Sequence, residues 1–141
     1  MKNPSLALRK AYYTYINGLG LTFNGNPLPI YNGMAPDTAT DSYIILSSVN
    51  CPTTPDKATY TFKANILIDI VNKSGSFGYQ PSDTIASSIL AIINPDSSPN
   101  LSPDFQCVNT TLLGLYNREG LNNTEPFFRT LIQYGHLITQ L

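Results

Sequence analysis

His136 is the chain's only histidine, so any Ser-His-Asp or Cys-His mechanism has to run through it. It sits between Gly135 and Leu137 in a stretch that alternates in side-chain character, and no nucleophile motif accompanies it. That context reads as a structural strand histidine. The carboxylates offer little more. Asp37 and Asp41 share one loop and Asp96 and Asp104 share another, and neither pair has the spacing of a calcium loop. Turn and cap roles account for them. Cys51 and Cys107 lack metal or redox spacing and read as two reduced structural thiols. Gly18-Leu19-Gly20 follows a helical pattern rather than a strand, so the context of a phosphate-binding loop fails. The residue chemistry predicts no catalysis, no metal and no cofactor.

Composition narrows the class further. The 141 residues suit a single domain (1–141) large enough to bury a core without disulfides or metal. A formal net charge of −1 gives no electrostatic reason to expect nucleic-acid recognition. Charged residues make up 12% of the chain, about half the usual share. Such a surface is weakly protected against association, which suits a protein that lives in an assembly. The N-terminus has no apolar signal region, and no apolar run approaches ~18 residues. The expectation is a soluble, non-secreted protein with no membrane partner. The N-x-S/T triplets at Asn72, Asn100, Asn109 and Asn122 carry no weight without a secretion signal.

The element that must organise the chain is YTFKANILIDIV, Tyr60 to Val71. Tyr60, Phe62, Ala64, Ile66, Ile68 and Ile70 fall on one face at period two, and Thr61, Lys63, Asn65 and Asp69 on the other. This predicts a long half-buried strand, one face against a helix layer and the other toward water or another subunit. Ahead of it, Asn3-Pro4 is a helix start, and Leu8, Tyr12, Tyr15, Ile16 and Leu19 recur at helical spacing up to an Asn17-Gly18 cap. Ile30-Tyr31 reads as a short strand and Tyr43 to Val49 as a longer one. The loop Asn50 to Thr59, with two prolines and no apolar anchor, is expected to stay out of the sheet and project. A second helix starts at Pro81, with Gln80 or Ser82 near its cap and Asp83 at its positive end, and stops at Asn94-Pro95. Phe105 to Tyr116 is the next strand, with a bulge or face change near Asn109 and Thr111. NREGLNN follows as a turn too long for the tightest hairpins, and Phe127 to Ile138 closes the chain as a strand.

The order α, short β, β, long β, α, β, β predicts an α+β two-layer sandwich. Its sheet is mixed or antiparallel, of about four to five strands, with two helices packed on one face and sequence neighbours pairing. The candidate interface residues are those expected to stand exposed. They are Tyr12, Tyr13 and Tyr15 on the first helix, Pro52, Pro55 and Lys57 in the projecting loop, and Lys63 and Asp69 on the outer face of the long strand.

Several segments in this order resemble the tail terminator, or tail completion, family of tailed bacteriophages, within the wider group of head–tail connector and neck proteins. They are SLALRKAYYTYI, PIYNGMAPDTATDSYIIL, TYTFKANILIDIV, PSDTIASSILAII and FFRTLIQY. The family's stretch of an apolar residue and tyrosine, then proline, then tyrosine and valine or isoleucine corresponds to Ile30, Tyr31, Pro36, Tyr43 and Ile44. Ser42 stands where a proline is common, and the loop around Cys51 to Lys57 is longer. The resemblance implies a structural virion protein, not an enzyme, made in the host cytoplasm and placed in the neck of the particle. It implies a homo-oligomeric ring, commonly six-fold, that caps the tail tube or joins tail to head beside other neck and tail proteins. DNA could pass through such a ring without being specifically recognised. A neck or portal-adjacent adaptor ring of a short-tailed phage is the alternative. From a different class, so is a small ligand- or peptide-binding module with one concave pocket.

Overall fold

The computed structural model describes residues 2–23, 25–36, 42–48, 50–54, 61–73, 78–93, 99–122 and 125–141. Helix α1 (Pro4–Asn17) starts where the sequence places it. Asn3 Oδ1 accepts from the Ser5 amide at 2.9 Å, and Pro4 fills the first turn. Leu8, Ala11, Tyr12 and Ile16 are its buried stripe. The expected glycine cap differs in detail. Gly18 keeps right-handed helical angles, and the left-handed residue that turns the chain is Gly20, at φ 63°.

A two-stranded hairpin follows, β1 (Thr22–Phe23) with β2 (Asn26–Pro27), supported by Gly25 at φ 79°. Then come β3 (Ile30–Asn32), β4 (Ser42–Ser48), β5 (Thr53–Thr54) and the long β6 (Thr61–Asn72). Helix α2 (Gln80–Ile92) leads to β7 (Phe105–Asn122) and β8 (Glu125–Gln140). In α2, Tyr79 occupies the cap position without a side-chain bond. Ser82 turns back to donate to the Tyr79 carbonyl at 3.1 Å, and Asp83 lies in the first turn. Asn94 and Pro95, the expected stop, lie outside the described residues.

The main sheet runs β3-β4-β6-β8-β7, with β3 parallel to β4 and the other neighbours antiparallel. The α+β two-layer expectation is met. Two expectations of pairing are not. The chain leaves β6, crosses through α2 and sets down β7 parallel to β6 but one position away, and β8 then returns between them. A crossover helix can skip a position, whereas a tight turn cannot. The link from β7 to β8 is also tighter than NREGLNN suggested. Pairing continues through Arg118↔Arg129 and Gly120↔Phe127 to Asn122↔Glu125, so that segment belongs to the ladder.

The core lies between the helices and the inner face of the sheet. Phe62, Ala64, Ile66, Ile68 and Ile70 of β6 meet Ile132, Tyr134 and Ile138 of β8 on one side, and Ile44 and Leu46 of β4 on the other. Leu8, Tyr12 and Ile16 of α1 with Ile85 and Ile89 of α2 close the layer. Ile92 at the end of α2 faces outward, while Ile93 just past the helix turns in. At about 25 cal/mol per Å² of apolar surface, each fully buried isoleucine contributes roughly 1.5–3 kcal/mol. This layer therefore holds α2 in place, since isoleucine is only a middling helix former.

Candidate functional site

The interface candidates fall into three places. Tyr13 and Tyr15 stand exposed on α1, at the helix layer. Tyr15 Oη also accepts from the Asn100 amide at 3.2 Å, which ties the helix to the segment before β7. Tyr12 is a correction. It is fully buried, because its position in the helical repeat points it at the sheet, and its hydroxyl has a partner there. Sequence spacing placed three tyrosines close together on one helix, and the sheet takes one of them into the core.

That partner is His136. Its Nε2 lies 2.6 Å from Tyr12 Oη, and its Nδ1 lies 3.2 Å from the Ala64 carbonyl oxygen. A carbonyl only accepts, so Nδ1 carries the proton and Nε2 accepts the tyrosine hydrogen. Burial pushes the His136 pKa down to about 4 and raises that of Tyr12. Nearby, Tyr134 Oη donates to the Ile93 carbonyl at 2.6 Å, and burial pushes its pKa up to about 12. The three rings cluster, with Tyr12 edge-on to His136 at 5.4 Å between centroids. His136 is thus a satisfied core residue that pins α1 to β8. Its nitrogens are committed to the Tyr12 hydroxyl and the Ala64 carbonyl.

On the outer face of β6 the two charged candidates part company. Lys63 is exposed. Asp69, expected to project into solvent, is only 8% exposed. Its Oδ2 sits 3.6 Å from Arg129 Nη1 on β8, while its Oδ1 and Arg129 Nε have no hydrogen-bond partner among the described residues. Burial raises the Asp69 pKa and outweighs the opposing pull of Arg129. Ile45 and Leu131 flank Asp69 in the ladder, and Val71 beside it is buried. The face is more apolar and better covered than alternation on β6 alone suggested.

The loop after β4 joins the sheet at its start, contrary to expectation. The Lys63 amide donates to the Pro52 carbonyl at 2.8 Å, the Asn65 amide to the Asn50 carbonyl at 3.0 Å, and β5 pairs with β6 at Thr53↔Phe62. Proline lacks a donor but keeps its acceptor, the two threonines suit a strand, and partly buried Cys51 supplies the apolar anchor. Pro52 is therefore exposed beside Lys63 rather than away from the sheet. Pro55 and Lys57 lie outside the described residues, as do Asp37, Asp41 and Asp96. Cys51 and Cys107 are both reduced thiols.

Two features escaped the sequence reading. One is a groove of about 740 Å³ between α1 and residues 100–105, lined among others by Leu6, Lys10, Tyr15 and Leu101 and spanned by the Lys2–Asp104 ion pair at 2.7 Å. The other is the surface of β7, where Val108, Leu112, Leu113, Leu115 and Tyr116 are each 41–55% exposed. The consecutive leucines at 112 and 113 were its signal, since period two cannot hide both. Among the described residues no helix is long and apolar enough to cross a membrane, and no group of three or more His, Cys, Asp or Glu side chains could hold a metal.

Family models give no match to this chain, and neither do curated proteins. Solved structures do. A chain from the virion of a native gene transfer agent particle matches over 98% of this chain and 99% of its own length, at a TM-score of 0.72 and 14% identity. A second solved chain, without a functional description, matches over 92% and 93% at a TM-score of 0.57 and 11% identity. At these identities what is shared is the fold, and this chain has, from end to end, the α+β sandwich seen in that gene transfer agent virion.

Proposed function

We propose that this chain is a structural virion protein of a tailed phage or phage-like particle. In this reading it forms a homo-oligomeric ring at the head–tail junction or at the end of the tail tube. The observation that carries the reading is the end-to-end likeness to a chain of a gene transfer agent virion, with neither chain leaving a domain unmatched. The resemblance of Ile30, Tyr31, Pro36, Tyr43 and Ile44 to the tail terminator pattern supports the finer assignment. A surface poor in charge, with Tyr13, Tyr15, Pro52 and Lys63 exposed on opposite layers, supports assembly through more than one patch. A ring needs two different complementary surfaces on each copy, and a two-layer sandwich offers one on each side. The neck or adaptor ring of a short-tailed phage uses the same features.

The groove between α1 and residues 100–105 favours one other reading, a peptide- or ligand-binding module. Solution mass followed by negative-stain imaging separates the two. Closed rings, or a monomer that closes into rings on added tail tubes, support the virion role. A chain that stays monomeric in both settings and binds peptide in the groove overturns it.

A further inference from the structure

We propose that β7 is a docking edge for a second copy of this chain, the two β7 strands pairing antiparallel about a two-fold axis. The inference does not rest on the ring. β7 closes one side of the sheet, paired to β8 along its length and to no strand on its other side among the described residues. An edge of this length ordinarily carries charge, proline, an inward-facing lysine or bulges to keep other chains away. Of these, β7 from Phe105 to Asn117 has the bulges alone, one after Cys107 and one after Leu112. Here no charged residue and no proline occurs from Phe105 to Asn117, a run of about 40 Å at ~3.3 Å per residue.

The side chains add a second observation. Pairing with Tyr134 and Ile132 puts Leu112 and Leu115 on the helix side, while pairing with Leu131 puts Tyr116 on the outer side. Register shifts after Cys107 and after Leu112 leave Val108 and Leu113 as extra residues. Leu113 lies over Gly135 on the outer face, and the Tyr116 ring lies over Gly114. From Leu112 to Tyr116 the edge thus carries apolar side chains on both faces, the pattern of a strand inside a sheet rather than at its margin. A shallow cleft of about 200 Å³ beside it, between α2 and β7, is lined by Leu90 and Leu115 together with Asp83, Asn117 and Thr130, so its lining is mixed and the apolar part lies at the leucines.

The occupant follows from what the seam lacks. A foreign strand selected by charge would need a charged residue to read between Phe105 and Asn117, and that run has none; Arg118 and Glu119 lie beyond it, toward the turn into β8. Among the described residues the other strands at open margins of the sheet are β3 and β5, of three and two residues, too short to match it. A second β7 matches in length, in apolar character on both faces and in neutrality, and two-fold pairing makes any patch meet itself. Main-chain hydrogen bonds then supply the attraction, and the leucines fix the alignment.

The test joins two measurements on the full chain. Wild-type protein is followed by solution mass over a concentration series, with amide hydrogen exchange read for the β7 amides directed away from β8. The double variant Leu113→Lys, Leu115→Lys, which places a charge on each face, is run beside it. The expected result is a species containing paired copies, protection of those amides that rises with concentration, and loss of both in the variant. If the variant fails to fold, the exchange pattern of the wild type decides by itself. Oligomers or rings whose outward β7 amides exchange as in a bare edge overturn the seam and leave the ring standing. A two-copy species that never closes into rings, even on tail tubes, supports the seam and counts against the ring. A monomer at every concentration, with unprotected β7 amides, overturns the seam.

Discussion

His136 and Tyr12 are where a single side chain decides most. The folded protein keeps His136 neutral, with a pKa of about 4 against 6.5 for an unperturbed histidine. Between those values the unfolded chain binds the proton and the folded chain does not, so stability is lost as pH falls from 6.5 toward 4. The full shift corresponds to roughly 3 kcal/mol. Asp69 acts the other way. Its raised pKa means the folded state holds that proton more tightly, so acid relieves the cost of its buried charge as pH falls through that raised pKa. Urea midpoints measured from pH 7 to pH 4 should therefore fall, and in His136→Gln the decline between 6.5 and 4 should flatten. Tyr12→Phe leaves the imidazole nitrogen without its donor and should cost about 1–3 kcal/mol at neutral pH. A His136→Gln curve as steep as wild type would place the acid sensitivity elsewhere.

Elements show how far a sequence speaks for its fold. The inner stripe of β6 and the Asn3-Pro4 start of α1 were legible because period two and helix capping are local. Replacing Asn3 by Ala removes the bond to the Ser5 amide and should cost about 1 kcal/mol, seen as a lower denaturant midpoint. Ile89→Ala, which opens a cavity between α2 and the sheet, should cost more, roughly 2–5 kcal/mol. If the order of these two losses reversed, α2 would be held by something other than its isoleucines. What stayed illegible is non-local. Nothing in the alternation of β8 says that it slots between β6 and β7, and nothing around Asp69 says that Arg129, far along the chain, will lie beside it. Tyr12 shows the middle case, where helical spacing allowed both a core and an exposed reading and the sheet chose the first. Pro52 shows that a residue barred from donating can still help start a strand.

At the scale of the whole molecule, the scarcity of charge has a measurable consequence. Of the residues proposed for assembly, Lys57, Lys63 and Asp69 are charged, and Asp69 is engaged with Arg129 inside its own subunit. The remainder are tyrosines, prolines and the leucines of β7. An assembly held by such surfaces draws on apolar burial and main-chain hydrogen bonds, neither of which is screened by salt. The Debye length falls from about 10 Å at 0.1 M to about 3 Å at 1 M, which would dissolve a contact made by exposed ion pairs. The oligomer mass should therefore hold from low to high sodium chloride and rise, if it changes, in sulfate, which strengthens apolar association. Dissociation in high sodium chloride would mean that the lysines of the Asn50–Thr59 loop and β6, not the tyrosines and β7, make the contacts between copies. Replacing Lys63 by Gln would then reproduce the effect of salt, whereas the charged β7 variant would not.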